Sequence, residues 1–349
     1  MRFFIYTVFL LLCGCGIGPR QLTHDRLDYN RSLQYSDSQQ YLLNVVRLRY
    51  DEHPSLLTVN NIIAQIALES SASLNVLKAE AGPLTGTANG QLAYTETPTI
   101  TYTPLQGEAY VKRLLTPLSL PVVYSLFRSG WDIRHVLMLT AQRIGPLDNA
   151  VIASSSISNH VPRYREFFEL VNALDFLQYQ HNVEINPTKI HGQFAIKFTL
   201  THLELLKPSW RKLINRMGIT PSSPSIWLVG VHDTHPDHFY LETRTILGFL
   251  NYLAKSVEVP AELIKSGKAP MTYLGNGKFF NWQNVTRDNI IIRSCKHKPD
   301  ADLSIKFKGY WYYIADNDFK SKETFALLNI IMSLQQGNIP LDKPVFSIN

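Results

Sequence analysis

The placement of the cysteines limits this chain more than any other feature, because Cys13, Cys15 and Cys295 are its only three. The first two close a short apolar segment. Arg2 supplies one positive charge. Phe3–Leu12 then runs uncharged and strongly apolar for about ten residues, half of the roughly 20 a helix needs to cross a hydrocarbon core. That is the length of the apolar stretch of an export signal. If the segment is removed before Cys15 and that thiol is consumed, Cys295 is left alone. No intramolecular disulfide can then form, even in an oxidising compartment, and no cysteine-based metal site is possible. The fold must stand on its hydrophobic core.

Leu12-Cys13-Gly14-Cys15 resembles the lipobox of bacterial lipoproteins, with Leu at −3, a small residue at −1 and the acceptor cysteine. The chemistry requires a thiolate that attacks the lipid donor and a small residue at −1 around which the signal peptidase can close. Cys13 is a poorer acceptor, since Leu12 would then stand at −1. The competing readings are an uncleaved amino-terminal anchor and a plain secretory signal. The resemblance implies cleavage after residue 14 and acylation, palmitate included, on Cys15. Gly16 stands where Asp would resemble an inner-membrane retention signal, which places the protein on the outer membrane facing the periplasm. One acyl chain binds a membrane only marginally, whereas two or three anchor it without help from the protein.

Hydrophobic residues make up 45% of the chain and charged residues 18%, the balance of a globular protein. The net charge of +6 is modest, and the basic residues are scattered rather than clustered, so no nucleic-acid partner is expected. The expected partners are the membrane, through the lipid, and a protein of the envelope.

Residues 1–14 form the signal and 15–36 a polar tether. An N-terminal α/β domain spans 37–151 and a C-terminal one 161–349, divided by the Ser-rich, uncharged stretch 152–160. Helical spacing of Leu42, Val45 and Val46, with Pro54 beyond, predicts a helix over 36–50. Residues 56–68 and 72–77 read as strands, 82–90 as a mobile loop, and the alternating 99–103 as a strand. Helices are expected at 107–115 and 121–129, and a strand at 136–144. The second domain reads as helix 163–179, strand 194–200, helix 208–217, strand 226–231, helix 241–257 and a helical turn at 260–266. It ends in a hairpin, 303–307 and 310–314, about Lys308-Gly309. A helix over 321–335 and a strand at 345–348 follow. Interleaved strands and helices predict an α+β (mixed α/β) class, with two small sheets each packed with helices.

Three blocks resemble a family of uncharacterised proteobacterial lipoproteins. The first joins Gly18-Pro19-Arg20 and 25–30 (DRLDYN) to 42–50 (LLNVVRLRY). The second is 98–105 (PTITYTPL) with Gly107-Glu108. The third is 308–314 (KGYWYYI) with Lys320-Ser321-Lys322 and 324–328 (TFALL). The match runs from the lipobox to near the carboxyl end, and the third block is its most specific part. The resemblance implies an envelope lipoprotein and brings no assigned activity, cofactor or substrate. It fits a non-catalytic structural or interaction module, or an accessory part of a secretion or envelope assembly.

The most metal-like stretch is His232-Asp233-Thr234-His235-Pro236-Asp237-His238. Three imidazoles at spacing three with two carboxylates can bind zinc, but Pro236 breaks any regular helix, and the plain alternative is a polar loop between a strand and a helix. On the first reading the protein is an envelope hydrolase or metal-dependent enzyme using His232, His235 and His238. Gly275-Asn276-Gly277-Lys278 lacks the spacing of a phosphate loop and reads as a turn. Lys296 and Lys298 could lower the pKa of Cys295. No Gly-x-Ser-x-Gly elbow or His-Glu-x-x-His is present, and no cofactor is expected. Trp311, Tyr313, Asp316, Asp318 and Lys320 form a candidate interaction edge. Their alternative role is a hairpin-to-helix junction capped by Asp318 or Ser321.

Overall fold

A computed structural model of the chain describes residues 17–77, 85–156, 160–231, 233, 235–286 and 288–334. Cys15, His232 and the strand expected at 345–348 lie outside these residues. The chain divides into two compact units, Ser55–Gly107 and the remainder. The class is α+β, as expected, but the described strands form three sheets rather than two.

The first element is helix α1, Ile17–Arg49. The tether expected over 15–36 is therefore helical from residue 17. Its polar stretch shows no apolar periodicity, yet neither Gly nor Pro follows Pro19 until Pro54. Propagation costs little once a helix is nucleated, and the nucleus is plain: Leu42, Val45 and Val46 are fully buried and Tyr41 and Leu48 nearly so. Asp51 ends the helix with φ 55°, and Glu52 N donates to Arg47 O at 3.0 Å.

The smaller unit is one antiparallel hairpin, β1 (Leu57–Leu77) with β2 (Thr85–Pro104). The pairing is continuous from Leu57↔Pro104 to Leu77↔Thr85, with one bulge between Val59 and Asn61. The two expected strands are thus one. Residues 85–90 of the expected loop belong to β2, and Gly82 lies outside the described residues.

The larger unit carries a six-stranded sheet in the order β4-β3-β8-β7-β6-β5. Helices α2 (Leu120–Arg128) and α3 (Ile133–Thr140) lead into β3 (Ala141–Ile144) and β4 (Leu147–Asp148). A strand over 136–144 is therefore mostly helix. Asp132 caps α3 by accepting from His135 N at 2.5 Å, and a short apolar run does not by itself distinguish the two states. Helix α4 (Arg165–Tyr179) follows and packs on α3. Then come β5 (Val183–Ile190), β6 (Gln193–Leu200), α5 (Pro208–Arg216), β7 (Ser225–Val229) and β8 (His238–Thr243). The helix expected at 241–257 begins only at α6 (Ile246–Ala254), where Thr245 Oγ1 accepts from Gly248 N at 2.9 Å. Leu241 and Thr243 are buried in strand alternation before it. Because β3 pairs with β8 (Arg143↔Glu242), the sheet crosses the domain boundary expected at 152–160.

The chain closes with β9 (Arg293–Cys295), β10 (Leu303–Phe307), β11 (Tyr310–Ile314) and α7 (Phe319–Leu334). The third sheet has the order β10-β11-β9. Its hairpin turns at Lys308 (φ 47°) and Gly309 (φ 84°), the left-handed pair that a two-residue hairpin demands. Helix α1 packs along both α6 and β10, joining the two ends of the chain in one core.

Candidate functional site

Strands β7 and β8 are parallel neighbours, with Trp227↔His238 and Val229↔Tyr240 in register. Only residues 230–237 connect them, where parallel strands usually need about a dozen residues or more. The connection must run back beside the strand it leaves, and this folds the histidine-rich stretch onto itself. His238 opens β8; its amide donates to His235 O at 3.1 Å, and Trp227 N donates to Asp237 O at 3.1 Å. The expectation of a loop between a strand and a helix is thus corrected: both flanking elements are strands.

His238 Nδ1 lies 2.6 Å from Asp233 Oδ2, each side chain being 13% exposed. The rings of His235 and His238 stack with centroids 4.5 Å apart. His191, from the β5–β6 turn, brings Nε2 to 3.4 Å from the same Asp233 oxygen. Asp237 accepts from Ser223 Oγ at 2.9 Å, so it ties the loop to the turn that leads into β7 instead of capping a helix. A carboxylate on Nδ1 fixes the tautomer of a neutral imidazole and leaves Nε2 as an acceptor. Among the described residues, no group of three or more His, Cys, Asp or Glu side chains is placed to hold a metal ion. The adjoining cavity, lined by His191, Phe194, Val229 and Asp233, has a volume of about 70 Å³. That suits a water or two, whereas small-molecule sites run to about 300 Å³ or more.

A wider open depression of about 440 Å³ lies along β8, lined by Ser119, Gln142, Tyr240, Glu242 and Thr245 among others. Glu242 is committed to Arg143 at 3.6 Å. Ser119 Oγ is buried with no hydrogen-bond partner among the described residues.

The other candidates separate clearly. Cys295 donates to His297 O at 3.0 Å, and burial pushes its thiol pKa up, not down as two lysines would require. Lys296 is held instead by Glu262 at 2.8 Å, and Lys298 sits over the Trp311 ring at 5.9 Å. Gly275–Lys278 is a turn, with Leu274 N donating to Lys278 O at 2.7 Å and Gly277 at φ 76°. Trp311 and Tyr313 lie on the central strand of their sheet, since β9 pairs with the second edge of β11. Asp318 caps α7, accepting from Ser321 N at 3.2 Å and Ser321 Oγ at 2.7 Å. Asp316 holds Lys322 at 3.2 Å, while Lys320 is exposed. These residues build the junction between hairpin and helix and do not form an open edge.

Sequence reasoning misses the buried cations. Arg244 is fully buried between Asn149 O, at 2.7 Å, the Ser154 hydroxyl and the Tyr252 ring; desolvation lowers its pKa to about 10. Lys255 donates to Ser155 O at 2.6 Å, and burial, aided by Arg49, lowers its pKa to about 7. A lone Lys in an apolar helix is the only sequence signal.

Comparison with family models, curated proteins and solved structures finds no match.

Proposed function

We propose that this chain is a lipid-anchored envelope protein on the outer membrane facing the periplasm, a non-catalytic structural or interaction module that serves an envelope or secretion assembly. The observation that carries the reading is the amino-terminal sequence: one charge, a short apolar run and a single well-placed acceptor, Cys15. The non-catalytic part is supported by the commitments of the candidate groups. The best-held imidazole, His238, is tied to Asp233, the cavity that Asp233 lines is too small for a substrate, and the carboxylate that lines the larger depression, Glu242, is paired with an arginine. The partner is a protein of the envelope, and no nucleic acid is involved.

The test is metabolic labelling with palmitate and mass analysis of the mature amino terminus. The wild type is expected to carry label on Cys15 after loss of residues 1–14, and Cys15→Ser to lose the label and delivery to the membrane. Label retained by Cys15→Ser would sink the reading.

A further inference from the structure

The smaller unit is two strands and nothing more, yet each is about twenty residues long. At about 3.3 Å per residue that is roughly 65 Å of paired backbone. A lone hairpin is marginal in water; stability needs further strands or a cover for an apolar face. The register defines such a face. One side of the pleat pairs Ile62 with Ile100, Leu68 with Tyr94, Ser70 with Leu92, Leu74 with Ala88 and Val76 with Gly86. The other side is mainly polar, pairing Asn61 with Thr101, Gln65 with Thr97, Ser71 with Gln91, Ser73 with Asn89 and Asn75 with Thr87, and it also carries Ile63, Ala67, Glu69 and Leu77. Near the base, where the faces meet solvent, Ile100 and Tyr102 are 40% and 54% exposed, and Thr99, Thr101 and Thr103 are exposed on the reverse.

Charge decides what covers the apolar face. The two strands hold only Glu69 and Glu96, and no Lys, Arg, His or Asp, in a chain that is 18% charged. Strand edges that live in water are usually blunted by charges, lysine above all. Each long edge of this hairpin carries a single Glu and no Lys. A face of alternate apolar residues backed by a mainly polar one, with Glu69 as its one charge, is the pattern of a strand with hydrocarbon on one side and water-filled lumen on the other. Open edges do not survive in hydrocarbon, so a hairpin placed there must have both edges paired by other strands.

We propose that the hairpin is this chain's contribution to a transmembrane β-barrel closed by further copies of the same chain. The face carrying Leu68, Leu74 and Leu92 meets lipid, and the Ser/Thr/Asn/Gln face lines the lumen. Glu96 is the single charge on the apolar face, and Pro98 removes a donor from β2 two residues later. Both fall outside the bilayer if it is crossed by 68–76 and 86–94. That is the length of about 9–11 residues that a tilted strand needs, and it sets Tyr94 at one interface, where aromatic girdles lie. The smallest such barrels have about eight strands, so at least four copies are required. The inference rests on the envelope placement proposed above, but not on acylation itself.

The test uses the full acylated chain with Cys295→Ser, reconstituted into phosphatidylethanolamine–phosphatidylglycerol vesicles. Single cysteines are introduced at Ser71, Ala72, Ser73 and Leu74 and labelled with an environment-sensitive dye. Lipid-borne nitroxide should quench positions 72 and 74, and aqueous iodide positions 71 and 73. The assembly should contain four or more copies and release trapped carboxyfluorescein. Leu74→Asp should keep the palmitate label and the melting of the larger unit while losing dye release; Ser73→Asp should retain all three. Equal quenching at all four positions, an assembly of three copies or fewer, or undiminished release from Leu74→Asp would overturn the barrel. A missing palmitate label on the wild type would instead overturn the anchoring reading and leave the quenching pattern to decide the barrel.

Discussion

Lys255 holds its ammonium where few charges are tolerated: it is 3% exposed, its partners are one carbonyl and the Trp282 ring, and its pKa falls to about 7. Between about pH 7 and the ordinary lysine value of 10.5 the unfolded chain holds a proton that the folded chain lacks. Stability therefore rises with pH across that window. Below it the charge is buried at full cost. At about 1.4 kcal/mol per pKa unit the effect amounts to a few kcal/mol. Lys255→Met is accordingly expected to gain most over the wild type near pH 6.5 and to lose that advantage by pH 10. Denaturant unfolding of both chains at the two values measures it, and a difference independent of pH would show that the lysine is protonated throughout. Arg244 differs, because a guanidinium near 10 stays charged at neutral pH and its two oxygen partners and ring contact depend on it.

Elements whose cause is local were legible in the sequence. The β10–β11 hairpin lies on its expected residues because Lys308-Gly309 dictates the turn. Helix α7 begins within two residues of its expected start because Asp318 supplies the cap. Its inward face carries Phe325, Leu328 and Ile331, all buried. Phe325→Ala should cost about 3–5 kcal/mol, as truncation of a core aromatic does, while exposed Lys320→Ala should change stability by less than about 0.5 kcal/mol. Chemical denaturation of the two variants compares them, and a stable Phe325→Ala would make α7 an exposed surface. Elements whose cause is distant were not legible. Strand β8 runs into α6 with no Gly or Pro between them, and only its pairing with β3 and β7 makes it a strand. Helix α1 hides in polar residues because burial at its far end holds it. The site was half legible: the histidines drew attention, but His191 reaches Asp233 from another hairpin, and only the short parallel crossover explains the cluster.

At the scale of the whole molecule, the hairpin is an insertion. It leaves the chain after Pro54 and returns before Glu108, and its ends are paired at Leu57 and Pro104. The core of the larger unit takes its residues from both sides of the insertion: Leu42, Val45 and Val46 from before it, and Phe249, Leu250 and Leu328 from after it. Replacing Ser55–Gly107 by a short Gly/Ser linker should therefore leave a folded unit whose midpoint of thermal unfolding lies within a few degrees of the parent. Calorimetry checks this, and loss of the cooperative transition would mean that the hairpin is needed for the fold.

The pairing of β3 with β8 has a consequence for how the protein comes into being. Arg143 pairs with nearby Asp148 on one side, but its partner on the other side, Glu242, comes about a hundred residues later. As the chain emerges from its amino end, β5, β6 and β7 can zip together in sequence, but β3 and β4 wait as a short ribbon with one side bare. Contacts of such long separation slow folding. The large sheet is completed only when β8 slides between strands already made, bringing the stacked histidines with it. The histidine cluster is thus expected to form late in folding, when β8 joins the two halves of the sheet.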